Sequence, residues 1–330
     1  MPGPARPTIY DVAERAGVSK SLVSLVLQGS PRVSDARRAA VQAAIEELHY
    51  RPSRAAATLA SSRTRSIGTV IDDFRNLWFV DLVRGMHNVL DEPGYHLTIA
   101  DLQLNAHLGQ HPVEGFLATH VEGLVVAAEP TGINDVDGVP TVLVGGRSGS
   151  ITGADTVAND DVLGARIATR HLIDLGHRRV GHITGEGGSA ALRRGSFTET
   201  MREAGLEPLV GGSGETTEEE GYRGAAALLD AHPDLTALFA SNDVIALGAL
   251  AALRERGLAN PADVSVIGYD DSPLAAARYL DLTTIDDQSA EVGAEAARML
   301  LTRIADPSLP PRGVLIPPHL VTRSSTAPPR

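Results

Sequence analysis

The sequence predicts an α/β chain in which a small three-helix head precedes a two-lobe body of parallel sheets. Three observations lead there. Two short helical patterns near the N-terminus flank a glycine-containing turn, and beyond residue 65 short β-branched runs alternate with longer helical stretches. Charge divides between the same two parts: residues 1 to 65 hold ten Arg or Lys against five Asp or Glu, in a chain whose net charge is −12. A basic head on an acidic body fits a head that meets phosphate and a body that does not, although a short segment can also gather a few arginines by chance.

In the head, Thr8-Ile9-Tyr10-Asp11-Val12-Ala13 opens a helix, Ala16-Gly17-Val18-Ser19 turns, and Leu22-Val23-Ser24-Leu25-Val26-Leu27 continues as a second helix. Ala13 is small where two helices must cross closely, Gly17 suits a turn with positive φ, and Ser19 can cap the second helix. This is the layout of a helix-turn-helix, whose second helix enters a DNA major groove. Ser34 is the N-cap candidate of a third helix, with Val41, Ile45 and Leu48 on the face that closes a small core. Pro52 ends that helix, and Ser53 could cap a short one over Arg54 to Ala60. Composition there also fits a flexible linker; the alternative is a hinge helix that orders on DNA and wedges Leu59 into the minor groove.

In the body, strands are predicted at 67–71, 97–100, 124–127, 141–144, 180–183, 237–240 and 264–268, and helices at 77–91, 161–175, 244–256 and 288–304. Apolar strands interleaved with helices imply parallel sheets covered on both faces. The pattern divides near Asp160 into two similar lobes, and ligands of open parallel sheets bind beyond the carboxyl ends of the strands. The cleft between the lobes is therefore the expected ligand site.

Composition removes several classes. With 330 residues and 43% apolar content the chain can bury more than one core. It has no run of apolar residues long enough to span a membrane and no signal-peptide layout, so a cytoplasmic location is expected. The absence of cysteine excludes disulfides, Cys-ligated zinc and a thiol nucleophile. Gly185-Glu186-Gly187-Gly188-Ser189 lacks the ending of a phosphate loop and reads better as cleft wall, the pairs Asp72-Asp73 and Asp270-Asp271 read as caps, and neither a metal-binding His spacing nor a nucleophile elbow occurs. No catalytic residue, metal or cofactor is expected. An exported solute-binding protein would share the two-lobe body but needs an export signal and no DNA-binding head.

Taken together, Thr-Ile-Tyr-Asp-Val-Ala-Glu-Arg-Ala-Gly-Val-Ser at 8–19, Tyr50-Arg51-Pro52-Ser53 with Leu59-Ala60, Gly176-His177-Arg178-Arg179-Val180-Gly181, Ser241-Asn242-Asp243, Val266-Ile267-Gly268-Tyr269-Asp270-Asp271 and Leu282-Thr283-Thr284-Ile285 resemble LacI/GalR-family transcriptional regulators over nearly the whole chain. The resemblance implies a helix-turn-helix domain at 1–51, a hinge helix and linker at 52–65, and a periplasmic-binding-protein-like effector and dimerisation domain at 66–330. Its first lobe would span about 66–160 plus 287–313 and its second about 161–286 plus 314–326, the strand near 314–324 joining the second. It further implies a homodimer on a pseudo-palindromic double-stranded DNA operator, with no membrane partner, controlled by a small-molecule effector of the sugar or related polyol class. The chain's end soon after 326, with no heptad extension, points to a dimer rather than a tetramer.

Carried over residue by residue, DNA contacts fall on Thr8, Tyr10, Ser19, Lys20, Ser21, Ser24, Leu25, Arg54, Ala56 and Leu59, with Arg51, Arg54, Arg63 and Arg65 on phosphate. Effector contacts fall on Trp78, Phe79, Arg193, Thr216, Asn242, Asp270 and Asp287. Such a set suits a polyol: Arg forks donors, Asn and Asp take hydroxyls, and an aromatic stacks on a sugar face. Blander roles stand beside these: Asn242 and Asp270 as turn caps, Arg193 as a solvated charge, Trp78 as core. This chain also departs from the family pattern. Leu25 stands where Arg is frequent, which removes a bidentate guanine contact. Asn76-Leu77-Trp78-Phe79 replaces Asn-Pro-Phe-Phe, Thr216 replaces an aromatic platform, and Asp287 replaces Gln. The last two open and acidify the pocket, pointing to a hydroxyl-rich or cationic effector rather than a purine or a sugar phosphate.

Overall fold

The computed structural model describes residues 7–27, 30–50, 63–109, 111–133, 136–212 and 214–330. The chain forms two compact units, Met1–Thr64 and Arg65–Arg330. The expected contacts at Arg51, Arg54, Ala56 and Leu59, and the hinge helix carrying them, lie outside the described residues.

The first unit packs α1 (Ile9–Arg15), α2 (Lys20–Leu27) and α3 (Asp35–Glu47) around Val12, Val23, Val26, Val41 and Ala44. Thr8 and Asp11 form a reciprocal capping box at the start of α1. Gly17 turns with φ +65°, and the Ser19 hydroxyl accepts from the Leu22 N–H at 3.3 Å. Ser34 occupies the N-cap of α3 with extended backbone but makes no side-chain cap bond. An ion pair of 2.6 Å between Arg15 and Glu47 ties α1 to α3.

The second unit runs β1 (Ser66–Ile71), α4 (Trp78–Leu90), β2 (His96–Asp101), α5 (Leu102–Asn105), α6 (Pro112–Ala118), β3 (Gly123–Ala127), β4 (Thr141–Val144) and β5 (Asp155–Asn159). It continues through α7 (Asp161–Asp174), β6 (Val180–Ile183), α8 (Gly187–Glu203), β7 (Leu209–Gly211), α9 (Glu218–Ala231), β8 (Ala237–Ala240), α10 (Asp243–Glu255) and β9 (Ser265–Ile267). β10 (Thr284–Asp286), α11 (Ser289–Ala305), β11 (Gly313–Ile316) and β12 (His319–Val321) close it. One parallel sheet, ordered β11-β5-β4-β3-β1-β2, forms the first lobe, and another, β7-β6-β8-β9, forms the second, with β10 and β12 as an antiparallel pair. β1, β3, β4, β6, β8 and β9 are buried almost throughout, as parallel strands covered on both faces must be, whereas β2, β7 and β11 at the sheet edges are only partly buried.

The chain crosses between lobes at 159–161, 286–289 and 316–319. The expectation of a single closing strand near 314–324 in the second lobe is corrected. β11 pairs with β5 of the first sheet from Gly313↔Thr156 to Ile316↔Asn159, and only β12 joins β10. Pro317-Pro318 divides them, since neither residue can donate to a ladder.

Each lobe holds one very close helix crossing. A Cβ on Gly85 of α4 would sit 1.9 Å from the Ala290 carbonyl oxygen, and one on Gly293 of α11 would sit 2.0 Å from that of Leu82. In the second lobe, a Cβ on Gly248 of α10 would meet the Glu218 carbonyl oxygen at 2.0 Å, and one on Gly221 of α9 would meet that of Ile245 at 2.3 Å. Reciprocal glycines thus key α4 to α11 and α9 to α10, backbone against backbone.

Candidate functional site

In the first unit, Thr8, Tyr10, Ser19, Lys20, Ser21 and Leu25 are exposed, whereas Ser24 is half-buried. Lys20 sits with its Nζ 4.9 Å from the Tyr10 ring centroid and 3.3 Å from its hydroxyl. A cation beside an aromatic at the start of α2, with the 37%-exposed Leu25 beyond it, makes a surface that can meet phosphate, base edge and thymine methyl. Thr8 is already engaged: its hydroxyl bonds Asp11 at 2.8 Å.

In the second unit a cavity of about 330 Å³ opens between the lobes. Trp78, Phe79, Arg193, Thr216, Asn242 and Asp270 all line it. Arg193 is no solvated charge. It lies two turns into α8, is 7% exposed, and donates to Asp161 Oδ1 (2.7 Å), the Ser241 carbonyl (2.7 Å) and Asp270 Oδ1 (3.4 Å). Its guanidinium carbon lies 3.5 Å from the Tyr269 ring centroid. Burial opposes its charge, and Asp161 leads the acidic neighbours that favour it. Asn242 is both cap and wall: its Oδ1 accepts from the Ile245 N–H at 2.9 Å at the start of α10, which leaves the amide NH2 as its donor toward the cavity. Asp270 has φ +100°, uncommon for a non-glycine residue, and burial raises its pKa well above the usual carboxylate range against the pull of Arg193.

Asp287 departs from expectation. It is fully buried and not among the residues lining the cavity. Its Oδ2 accepts from the Trp78 indole N–H at 2.7 Å and its Oδ1 from the Ser289 N–H at 3.1 Å, so it stands behind the wall. Burial pushes its pKa up to about 8, with Arg193 opposing and Asp161 adding to the rise. Trp78, 8% exposed, packs edge-to-face on Phe79 with centroids 5.1 Å apart. It is core and cavity wall at once.

The cavity also takes residues that sequence reasoning left aside. Asp72 follows β1, Glu129 follows β3, Arg147 follows β4, and Asn159 ends β5. All four lie at carboxyl ends of first-lobe strands, the signal that would have found them. Arg147 pairs with Asp72 at 3.1 Å and donates to the Val144 carbonyl at 2.8 Å. Glu129 Oε1 accepts from the Gly188 N–H at 3.1 Å, and its Oε2 from the Ser148 N–H at 3.0 Å, joining the first lobe to the glycine loop of the second. Glu186, Gly187, Gly188 and Ser189 do form wall. No group of three or more metal-ligating side chains exists among the described residues. None of the described helices is long and apolar enough to cross a membrane.

Comparison with known proteins matches both units. Residues 8–53 fit the family described as bacterial regulatory proteins, lacI family, and residues 169–326 fit a periplasmic binding protein-like domain. The HTH-type transcriptional repressor PurR of Edwardsiella ictaluri is 35% identical, covering 97% of this chain and 97% of its own. The structure of the transcriptional regulator CelR in complex with cellobiose is 32% identical with a TM-score of 0.71, covering 97% of this chain and 100% of that one. The Lac repressor dimer bound to operator and the anti-inducer ONPF is 27% identical with a TM-score of 0.85, covering 98% of this chain and 100% of that one. A DNA-reading head joined to a two-lobe ligand-binding body, matched end to end by regulators rather than enzymes, places this chain in the LacI family of bacterial transcriptional regulators.

Proposed function

We propose that this regulator acts in the cytoplasm as a homodimer that represses from a pseudo-palindromic operator and responds to a sugar or related polyol, neutral or cationic, held between its lobes. One observation carries the effector class. The cavity is lined by six carboxylates (Asp72, Asp73, Glu129, Glu186, Glu215, Asp270) and three guanidiniums (Arg75, Arg147, Arg193). Each guanidinium is already bonded to a protein carboxylate: Arg75 to Asp73, Arg147 to Asp72, and Arg193 to Asp161. An anion entering would find no uncommitted cation and would face surplus acid, whereas hydroxyls find acceptors and an amine finds countercharge. The cellobiose complex of CelR agrees with this reading.

The head would be residues 1–51, the connection 52–65 and the effector domain 66–330, with the second-lobe tail beginning after Ile316. Tyr10, Lys20, Ser21 and Leu25 would read or position DNA, with Ser24 and the Arg residues of 51–65 on phosphate. An effector shifts operator affinity only by its preference between the two lobe arrangements, and that preference sets the sign of control.

The test is fluorescence anisotropy of the full chain on an operator recovered by binding-site selection, repeated with neutral sugars, amino sugars and sugar phosphates. A neutral or amino sugar that changes operator affinity supports the proposal. A response to sugar phosphates alone overturns the effector class, and failure to recover a specific operator overturns the whole reading.

A further inference from the structure

Trp78 is the only tryptophan in the chain, and it forms part of the wall of the interlobe cavity. Its indole N–H points away from the occupant's space, to a side chain on the crossover between β10 and α11. A tryptophan at a cavity wall commonly offers that N–H to the ligand as its only donor. Here the donor is spent inside the protein, so only the ring remains for the occupant.

We propose that Asp287 is a positioning residue that locks the Trp78 indole as a stacking surface, making the occupant a ring with an apolar face, such as a pyranose, rather than an acyclic polyol. The proposal rests on the effector reading given above and narrows it. Both carboxyl oxygens of Asp287 are engaged, one by the indole and one by the Ser289 N–H at the start of α11, so the lock is anchored to a helix rather than to a mobile loop. Phe79 packs edge-to-face on the same indole, at 82° with centroids 5.1 Å apart, a second contact on the ring. The groups around Asp287 are Arg193 on α8, Asp161 on α7, Asp286 beside it in the chain and Trp78 on α4. An asparagine keeps one carbonyl oxygen that can accept the indole N–H but gives up the acceptor now used by the Ser289 N–H.

The experiment reads the single indole in the full chain, without ligand, by acrylamide quenching in the wild type and in Asp287→Ala and Asp287→Asn, with thermal unfolding recorded for each. The lock predicts quenching about fivefold stronger in Asp287→Ala, the population change that matches loss of a hydrogen bond worth about 1 kcal/mol. Asp287→Asn, which keeps an acceptor for the indole N–H, should be quenched well below Asp287→Ala. A purely structural role would lower the unfolding temperature of both variants without separating them in quenching. Equal quenching in all three proteins overturns the proposal, as does failure of asparagine to rescue. Titration of wild type with cellobiose and with sorbitol then tests the ring requirement: a response to sorbitol alone overturns it. If no sugar or polyol of the wider panel changes operator affinity, the effector reading fails even where the quenching result stands, so the two failures are distinct.

Discussion

Replacing Arg193 with methionine keeps most of the volume and removes the one cation at the centre of the second-lobe network. Asp161, with a fully buried side chain, and Asp270, 8% exposed, lose their shared partner, and the Ser241 carbonyl loses a donor. Breaking a buried ion pair from one side leaves an uncompensated charge and costs roughly 3–5 kcal/mol. For a unit of this size, 1 kcal/mol lowers the melting temperature by roughly 2–4 °C, so the variant should melt roughly 6–20 °C below wild type. Scanning calorimetry of the full chain reads this directly. Because the stranded carboxylates can take up protons, the deficit should shrink as the pH is lowered from neutrality. Arg193→Lys should recover only part of it, since an ammonium cannot span Asp161 and Ser241 as the guanidinium fork does. A melting temperature within about 2 °C of wild type would refute the claim that Arg193 anchors this network.

Asp287, with a folded pKa of about 8, holds a proton that the unfolded chain has released above about 4, so its contribution to stability is largest at low pH and is lost as pH rises through 8. Denaturant titrations across that window should show the decline, and Asp287→Asn should flatten it. His182 acts in the opposite sense. Burial lowers its pKa to about 3, so the unfolded chain binds a proton that the native state does not, and stability should fall as pH drops from about 6.5 toward 3. His182→Asn should remove that acid limb, again by denaturant titration against pH. Leu25→Arg should create a preference for guanine at one half-site position, worth roughly 1–3 kcal/mol, which binding-site selection would show as a changed base and not as a general gain in affinity. Gly293→Ala forces a methyl onto the Leu82 carbonyl oxygen and should destabilise the effector unit by roughly 1–3 kcal/mol or more in thermal melts, far beyond an alanine introduced on an exposed helix face.

The helices and strands with strong periodicity are legible in the sequence alone. The helices expected at 77–91, 161–175, 244–256 and 288–304 begin and end within a residue or so of α4, α7, α10 and α11. What escaped notice were elements whose residues answer to tertiary partners. β5 begins with Asp155, an unlikely strand residue until Arg303 of α11 is seen to hold both its oxygens at 2.7 and 2.9 Å. β7 and β10 have three residues each, too few to show alternation. The division of 314–324 turned on reading Pro317-Pro318 as a break. In the cavity, side chains within recognisable motifs were found, and Asp72, Glu129 and Arg147 were not, because each is an ordinary charged residue after a strand until the lobes bring them to one space. Asp287 stood out as a departure from the family pattern, but its partner 209 positions away could not be read from the chain.

The paired glycines bear on how a regulator of this build can respond at all. Two helices interlocked through bare backbone can neither slide nor roll without driving carbonyl oxygens into α-carbons, so the steepest part of the repulsive potential guards each lobe against shear. The soft coordinates that remain are the three narrow connections near 160, 287 and 317. Whatever free energy an occupant releases between the lobes is delivered there as torque, and two stiff bodies on three short tethers convert it into a change of angle rather than a local loosening.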